Sequence, residues 1–166
     1  MFRNKQEELL NRVCYVVSNQ PIPPKFDPGE WPLIQFNCYA YAMRINMSFS
    51  EFNDFEILPG FISRDRVNII YNSTDEILQY FKEDCEALGL NAIPTKMEDK
   101  LNSNEYKVAI YTTESFGVHF IRQDSNGKWS EKVGWCGKIK IIENENLITQ
   151  GIGRYKFLQM FRISKK

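Results

Sequence analysis

Apolar residues recur at helical spacing in the first half of the chain. Residues 5–17 carry leucines, valines and a cysteine on one side and predict an amphipathic helix. A short helix is expected to begin at Cys38, because Asn37 is a favoured N-cap residue. A third helix is predicted over residues 73–88, where an S-T-D-E capping box opens the stretch and Gly89 follows it at the position favoured for glycine.

The second half of the chain changes to β-like patterns. Runs rich in β-branched and aromatic residues predict strands over 107–112, 117–123, 128–132, 138–142 and 155–161. The order is helices first and an antiparallel sheet second. This order predicts an α+β fold in which the N-terminal helices pack on one face of an antiparallel β-sheet.

A proline-rich segment separates the first two helices. Residues 21–32 contain five prolines, which remove backbone donors and prevent regular structure. Phe26 and Trp31 give the segment apolar side chains to bury, so we expect an ordered arm, either a lid over a cleft or a wrapped strap. We expect a single domain over residues 1–166, with 1–32 forming the N-terminal helix and proline-rich arm.

The composition and charge of the chain argue against some classes of function. The 166 residues carry 21 Lys and Arg, 21 Asp and Glu, and one His, while 43% of residues are hydrophobic. A balanced charge argues against a nucleic-acid partner, which normally requires a basic excess. The pattern contains no apolar run long enough for a membrane span, and the N-terminus is acidic where a secretory signal would be apolar. We therefore expect no membrane association and a cytoplasmic protein as encoded.

The four cysteines are spread widely and include no C-x-x-C pair. They are Cys14, Cys38, Cys85 and Cys136. With a single His to complete a metal site, we expect neither a structural metal nor a cofactor. A chain of this size has no need of disulfides for a stable core, so reduced thiols are expected.

Cys38 and His119 are the candidate chemical groups. A cysteine at a helix start is favoured as a thiolate by the helix dipole and the free N–H groups, and a thiolate nucleophile needs a neighbouring base. His119 is the only imidazole that the chain offers for that role, although a single His is more often structural. Cys14 and Cys85 lie among apolar helical positions and are expected to be buried and inert, and Cys136 is a weaker candidate.

Two motifs carry a resemblance to a known group of proteins. They are N-C-Y-A-Y-A over residues 37–42 and H-F-x-R-Q-D-S-x-G-x-W-S-x-K over residues 119–132. Both are similar to a family of mostly uncharacterised bacterial and phage proteins that resembles papain-like cysteine peptidases. The likeness spans roughly residues 31–160. It implies a papain-like core of the CHAP or NlpC type.

The resemblance also implies roles for residues. Cys38 would be the nucleophile, and His119 would act as general base and then general acid. The oxyanion would be bound by the Cys38 backbone N–H and a side-chain amide of Gln35 or Asn37. For Asn37, a plain helix cap is an equal alternative.

The residue that orients the imidazole is left open by the pattern. The Asn-Gly pair at 126–127 favours a tight two-residue hairpin loop, which would place Ser130 on the same face as His119. The same register turns Asp124 and Glu131 to the opposite face. The expectation is therefore a Cys-His dyad, a dyad assisted by Ser130 or the main chain, or a weakened enzyme.

The expected function is that of a papain-like cysteine hydrolase acting on an amide bond in a protein or a peptidoglycan peptide. Acyl transfer to an amine is a related alternative. A different alternative is a non-catalytic papain-like binding module, or a phage or toxin effector that acts on a host protein. Under either interpretation the protein would act inside the cell or be delivered to a host or cell wall by another system. The expected partner is a protein or peptide substrate, and the pattern does not predict an oligomeric state.

Overall fold

A computed structural model describes residues 2–31, 36–52, 55–134 and 137–166 of the chain. The fold is α+β, as the sequence predicts, with one antiparallel sheet of six strands in the order β1-β6-β2-β3-β4-β5. The strands are β1 (Leu90–Thr95), β2 (Tyr106–Thr112), β3 (Val118–Gln123), β4 (Trp129–Lys132), β5 (Ile139–Ile141) and β6 (Lys156–Lys165).

Five α-helices occur in the described ranges, and the three predicted from the sequence are among them. They are α1 (Phe2–Ser18), α2 (Cys38–Ala42), α3 (Phe61–Arg64), α4 (Thr74–Ala87) and α5 (Asn146–Gln150), with 3-10 turns at Pro28–Glu30 and Phe49–Phe52. The Ser73 side chain accepts a hydrogen bond from the Glu76 backbone N–H, which is the predicted cap of α4. Gly89 follows that helix with φ +72°, a left-handed conformation that glycine adopts without strain.

The sequence pattern missed the strand β1. Pro94 and Asn91 weaken its strand signal, since proline cannot donate to a β-ladder. β1 lies at the edge of the sheet and pairs only with β6. An edge position tolerates a proline whose N side faces away from the neighbouring strand.

Side chains on both faces of the sheet are buried. The larger core lies between the sheet and helices α1, α2 and α4, and includes Tyr39, Phe81 and Phe120. A smaller core on the opposite face includes Trp129 and Ile148. The central strand β2 is buried along its whole length, which holds the neighbouring β3 in a fixed position.

The β3–β4 hairpin turns through three residues rather than the predicted two. The Asp124 N–H donates to the Lys128 carbonyl at 2.8 Å, and the Gly127 N–H donates to the Asp124 carbonyl at 2.9 Å. Gly127 has φ +79°. A three-residue loop that ends in a left-handed glycine is a common hairpin type, and the Asn-Gly pair fits it as well as the two-residue type.

The extra loop residue changes the strand register by one position. Ile121 pairs with Glu131, and Arg122 pairs with Ser130. Because side chains alternate across a strand, a shift of one residue exchanges the two faces. The predicted register was therefore wrong: Glu131 shares the face of His119, and Ser130 lies on the opposite face.

The described part of the proline-rich arm is wrapped onto the hairpin. The Ser125 N–H donates to the Pro24 carbonyl at 2.7 Å. The Trp31 ring is stacked on Phe36 with centroids 4.9 Å apart and meets the edge of Tyr41 at 5.1 Å. The described part of the arm therefore packs against the core as a wrapped strap, which is one of the two arrangements expected from the sequence.

Among the helices that the structure describes, none has the length and hydropathy that a membrane crossing requires.

Candidate active site

Cys38 is the first residue of α2 and lies at the surface of the main core. The Asn37 side-chain oxygen accepts a hydrogen bond from the Ala40 backbone N–H at 2.9 Å, so the helix begins where the cap pattern predicts. Cys38 is 8% exposed and is a free thiol. Because α2 has only five residues, its dipole is small.

His119 lies near the start of β3, and its side chain interacts with that of Cys38. The imidazole is 7% exposed. Burial disfavours the imidazolium, but hydrogen bonds to the Cys38 and Glu131 side chains and the charges of these groups raise the pKa of His119 to about 9. The structure thus brings the two residues of the sequence prediction together and favours a protonated imidazole at neutral pH.

Glu131 is the third member of this cluster, and the sequence prediction missed it. Its Oε2 atom lies 3.3 Å from His119 Nε2, and the carboxylate is 5% exposed. On the facing strand, Lys140 Nζ lies 3.8 Å from the other carboxylate oxygen. A carboxylate buried beside an imidazole fixes the orientation of the ring and stabilises its positive charge.

Ser130 does not contact His119 in this arrangement, contrary to the prediction. Its hydroxyl lies 2.6 Å from the Tyr41 hydroxyl and donates to Asp124 Oδ2 at 2.5 Å. Asp124 also accepts a hydrogen bond from Arg122 Nε at 2.9 Å, within a buried ion pair. Ser130 therefore ties helix α2 to the hairpin on the face opposite His119, because the hairpin register is shifted by one residue.

Arg122 completes this buried network. Its guanidinium donates to the Tyr41 carbonyl at 3.1 Å and to the Lys25 carbonyl at 3.3 Å. It also lies 3.9 Å from the centre of the Tyr41 ring. Burial raises the pKa of Tyr41 to about 12, so the phenol stays neutral and serves as a hydrogen-bonding group. The network fixes α2, and with it Cys38, relative to β3 and β4.

The side chain of Asn37 has a structural role in the fold. Its oxygen caps α2, while its amide nitrogen donates to the Ile57 carbonyl at 2.7 Å and lies 3.4 Å from Glu56 Oε1. The side-chain oxygen and the amide nitrogen of Asn37 are thus both hydrogen-bonded within the fold, which favours the role of a helix cap over that of an oxyanion donor. Gln35, the other predicted oxyanion donor, lies outside the described residues.

The start of α2 is also held from the other side of the core. Asp84 is fully buried and accepts hydrogen bonds from the Tyr39 hydroxyl at 2.6 Å and the Gly60 N–H at 2.9 Å. It further accepts from the backbone and the hydroxyl of Ser63. Burial raises the pKa of Asp84 although each of these hydrogen bonds lowers it. This carboxylate joins α2, α3 and α4.

The other two described thiols are Cys14 and Cys85. Cys85 is fully buried, and burial raises its pKa well above the ordinary value. Burial also raises the pKa of the half-buried Cys14. Cys136 lies outside the described residues. Cys85 is buried in the core as expected, whereas Cys14 is only half-buried and packs against the core.

Within the described residues, no group of three His, Cys, Asp or Glu side chains is arranged to hold a metal ion.

Comparison with known protein families places this site inside a recognised domain. Residues 33–157 match a family described as a domain of unknown function, DUF7689. The chain belongs to this family. No curated protein and no solved structure matches the chain.

The DUF7689 region contains the whole candidate site. Cys38, His119 and Glu131 all lie within residues 33–157, as do the hairpin and the buried network beneath it. Helix α1 and most of β6 lie outside the matched region. The family description states no activity. The evidence for a function therefore comes from the chemistry of the site.

A cleft opens beside His119 in the DUF7689 region. It is lined by Glu56, Leu58, segments 69–71 and 115–118, and Tyr155. The Tyr155 ring lies 5.3 Å from the His119 ring, between centroids. The cleft has a volume of about 340 Å³.

Proposed function

We propose that this protein is a papain-like cysteine hydrolase that cleaves an amide bond through Cys38 and His119, with Glu131 orienting the imidazole. The observation that carries the proposal is the 3.3 Å contact between His119 Nε2 and Glu131 Oε2, on an imidazole that also hydrogen-bonds Cys38. A nucleophile, a base and a group that orients the base are the three parts that acyl transfer by a thiol requires.

The proposed reaction begins with a thiolate–imidazolium pair. The Cys38 sulfur attacks the carbonyl carbon of the amide, and a tetrahedral oxyanion forms. His119 then gives its proton to the leaving amine, the C–N bond breaks, and an acyl-enzyme remains on Cys38. In the second half, neutral His119 takes a proton from water as the water oxygen attacks the thioester carbon; the C–S bond then breaks, the acid is released, and Cys38 leaves as the thiolate beside the imidazolium.

Glu131 supports this cycle in two ways. It engages His119 Nε2, so Nδ1 is the ring nitrogen left for the thiol. Its negative charge favours the imidazolium, and the imidazolium in turn favours the thiolate. The backbone N–H of Cys38 is one candidate oxyanion donor, because the first residues of a helix have no intrahelical acceptor for their N–H groups.

The papain-like architecture is part of the same proposal. Its support is the order of the groups along the chain: a cysteine at a helix start, then a histidine on one strand, then a carboxylate on the neighbouring strand. The motifs at residues 37–42 and 119–132 contain Cys38 and His119, while Glu131 stands at a position that the second motif leaves open.

The alternative is a non-catalytic papain-like module or an effector that acts on a host protein by binding alone. The absence of a predicted carboxylate beside His119 favoured this alternative at the level of sequence. In the structure Glu131 lies beside His119, so the lack of a carboxylate no longer favours this alternative.

The proposal is tested by the rate at which iodoacetamide alkylates each thiol between about pH 5 and pH 9. The modified residue is identified by mass spectrometry. We expect Cys38 to react selectively at about pH 6, well below the ~8.5 pKa of a free thiol. Cys14 and Cys85 serve as internal controls, since burial raises the pKa of both.

The matched variant is His119→Ala, with folding checked by circular dichroism. We expect the fast reaction of Cys38 at low pH to disappear. Slow, unselective alkylation that is the same in both proteins would overturn the proposal and favour the binding module.

A further inference from the structure

We infer that Tyr155 is a positioning residue of the candidate site, whose ring packs on the face of the His119 imidazole and holds it in place beside Glu131. This inference rests on the proposed function and deepens it, because it adds a fourth residue to the thiol–imidazole machinery. Tyr155 acts through His119 and takes no part in the bonds that form and break.

Two tyrosine rings flank the buried imidazole. The Tyr155 ring lies 5.3 Å from the His119 ring between centroids, and the two planes are inclined by 34°. Tyr111 is the cross-strand partner of His119 on β2, with centroids 6.2 Å apart and planes inclined by 46°. Both distances lie in the range of packed aromatic rings. The shorter distance and the smaller inclination make Tyr155 the ring that lies more nearly over the face of the imidazole.

A tight turn before β6 carries Tyr155 to the imidazole. The Ile152 N–H donates to the Tyr155 carbonyl, and the Tyr155 N–H donates to the Ile152 carbonyl, both at 2.9 Å. The side chains of Ile152 and Tyr155 pack against the smaller core. The Tyr155 ring is thus held by its own turn and by the core as well as by His119.

Gly151 allows this turn to lie close to the preceding chain. Its φ is +122°, and an added Cβ would lie 2.8 Å from the Tyr155 carbonyl oxygen, so the turn would have to move. Gly153, in the same turn, has φ +57° but no atom within 4 Å of an added Cβ. A substitution at Gly151 therefore displaces Tyr155, whereas one at Gly153 adds backbone strain alone.

The imidazole needs this support most when it is neutral. In the proposed cycle His119 gives its proton to the leaving amine, and its contact with Glu131 then loses the strength of a charge-assisted hydrogen bond. Rotation of the ring about the Cβ–Cγ bond would carry both ring nitrogens away from their partners. A ring packed on the imidazole face opposes this rotation by van der Waals contact. Tyr155 thus keeps Nε2 on Glu131 and Nδ1 towards the thiol between the two halves of the reaction.

The packing also favours the charged form of the imidazole. The face of an aromatic ring attracts a cation, most strongly where water is excluded, and His119 is 7% exposed. Other titratable and charged groups lie around the imidazole in the described part of the chain. They are Cys38 on α2, Glu131 on β4 and the phenols of Tyr111 and Tyr155, with Lys140 beside Glu131 and Arg154 beside Tyr155.

Removal of the Tyr155 ring should lower the pKa of His119. That pKa is raised to about 9, so the interactions with Cys38 and Glu131 outweigh the cost of burial. Water in the space left by the ring would weaken the burial and these interactions together, which moves the pKa back towards the ordinary value of about 6.5. Loss of the aromatic face acts in the same direction.

The test observes His119 directly, because it is the one histidine in the sequence. In protein prepared without a histidine tag, the Cε1 proton gives a single imidazole signal, and its NMR titration gives the pKa of His119. In Tyr155→Leu we expect this pKa to fall by about 0.5–1. Alkylation of Cys38 by iodoacetamide at about pH 6 should slow about threefold to tenfold, because the imidazolium is held less firmly beside the thiolate.

Tyr155→Phe keeps the aromatic face and should retain the wild-type pKa and the wild-type rate. Tyr15→Leu is the matched control, since it changes a tyrosine that is 70% exposed on α1 and should alter neither value. Circular dichroism checks that each variant is folded. If Tyr155→Leu does not fold, Gly151→Ala and Gly153→Ala decide the same question: the first should lower the pKa of His119, and the second should leave it unchanged.

The outcomes separate this inference from the proposed function. A folded Tyr155→Leu protein with the wild-type pKa and alkylation rate would overturn the role of Tyr155 and leave the hydrolase intact. Equal losses in Tyr155→Phe and Tyr155→Leu would also overturn it, because the hydroxyl rather than the ring face would then be responsible. A lower pKa in Tyr155→Leu, in a protein whose Cys38 alkylation does not depend on His119, would support the packing on the imidazole and overturn the hydrolase.

Discussion

His119 Nε2 lies 3.3 Å from Glu131 Oε2, on adjacent strands of a hairpin whose loop has three residues. Glu131 pairs directly with Ile121, so it is the diagonal neighbour of His119 on the same face of the sheet. The contact thus depends on the loop length, because a hairpin shorter by one residue would turn the carboxylate away from the imidazole.

Replacing Glu131 with glutamine should weaken the activation of Cys38. Glutamine keeps the size of the side chain but removes the charge, and an opposite charge at this distance commonly shifts a pKa by 1–3 units. The His119 pKa should fall, and alkylation of Cys38 at about pH 6 should slow by about tenfold or more. The measurement is the iodoacetamide rate across pH in both proteins, and an unchanged pH profile would argue against an orienting role for Glu131.

Ser130→Ala should affect stability rather than thiol reactivity. The change removes the hydroxyl that bonds Asp124 Oδ2 and the Tyr41 hydroxyl, while Arg122 still pairs with Asp124 Oδ1, and a loss of this kind typically costs about 1–3 kcal/mol of unfolding free energy. Urea denaturation measures this loss, with Ser103→Ala on an exposed turn as the control. If Ser130→Ala instead slowed alkylation of Cys38 at full stability, the assignment of Ser130 to the structural network would be wrong.

Asn37→Ala should destabilise the fold by about 1–3 kcal/mol, because it removes both the α2 cap and the hydrogen bond to the Ile57 carbonyl. Asn37→Ser is the informative partner variant, since serine is an equally good cap but has no amide donor. It should recover part of the loss. Denaturation midpoints in urea compare the three proteins, and a loss below about 0.5 kcal/mol for the alanine variant would contradict the capping role.

The sequence predicts most of the fold where local signals agree with packing. The cap at Ser73, the cap at Asn37 and the helical spacing of α1 all appear in the structure, because each signal acts within one turn of helix. β1 was missed because its proline is acceptable only at a sheet edge, a property of the tertiary structure. The contact between Cys38 and His119 was expected from the resemblance, not from local pattern.

The third residue of the site, Glu131, could not be predicted from the sequence because the length of the hairpin loop is ambiguous. The segment 124–127 is compatible with loops of two or three residues, and the two choices place different side chains beside His119. Side-chain chemistry alone would have favoured Glu131, since a carboxylate is the usual partner of a catalytic imidazole. Because the prediction assumed a two-residue loop, it placed Ser130 rather than Glu131 on the face of His119.

Gly127→Ala tests the loop that sets this register. Gly127 has φ +79°, and an added Cβ would meet no atom within 4 Å, so the cost is backbone strain alone, about 1 kcal/mol. The control is Gly29→Ala, which lacks a positive φ and would meet only an ordinary contact with Asp27. Urea denaturation should show the loss in Gly127→Ala and little change in the control; equal effects would contradict the left-handed loop.

The raised pKa of His119 also predicts how stability depends on pH. The ordinary pKa of an unfolded histidine is about 6.5, and in the folded protein it is about 9. The folded state therefore binds the proton more tightly, so this stabilisation is fully present below about pH 6.5 and is lost as the pH rises through about 9.

The measurement is the unfolding free energy of the wild type and of His119→Gln at about pH 6, pH 7.5 and pH 9.5. Glutamine has no titrating group in this range, so the difference between the two proteins isolates the contribution of His119. This difference should be largest at the lowest pH and should shrink towards the highest. In Glu131→Gln the decline should begin at lower pH, since the carboxylate helps to hold the proton on the imidazole. A difference that stays constant across the range would mean that His119 keeps an ordinary pKa, and the thiolate–imidazolium pair would lose its main physical support.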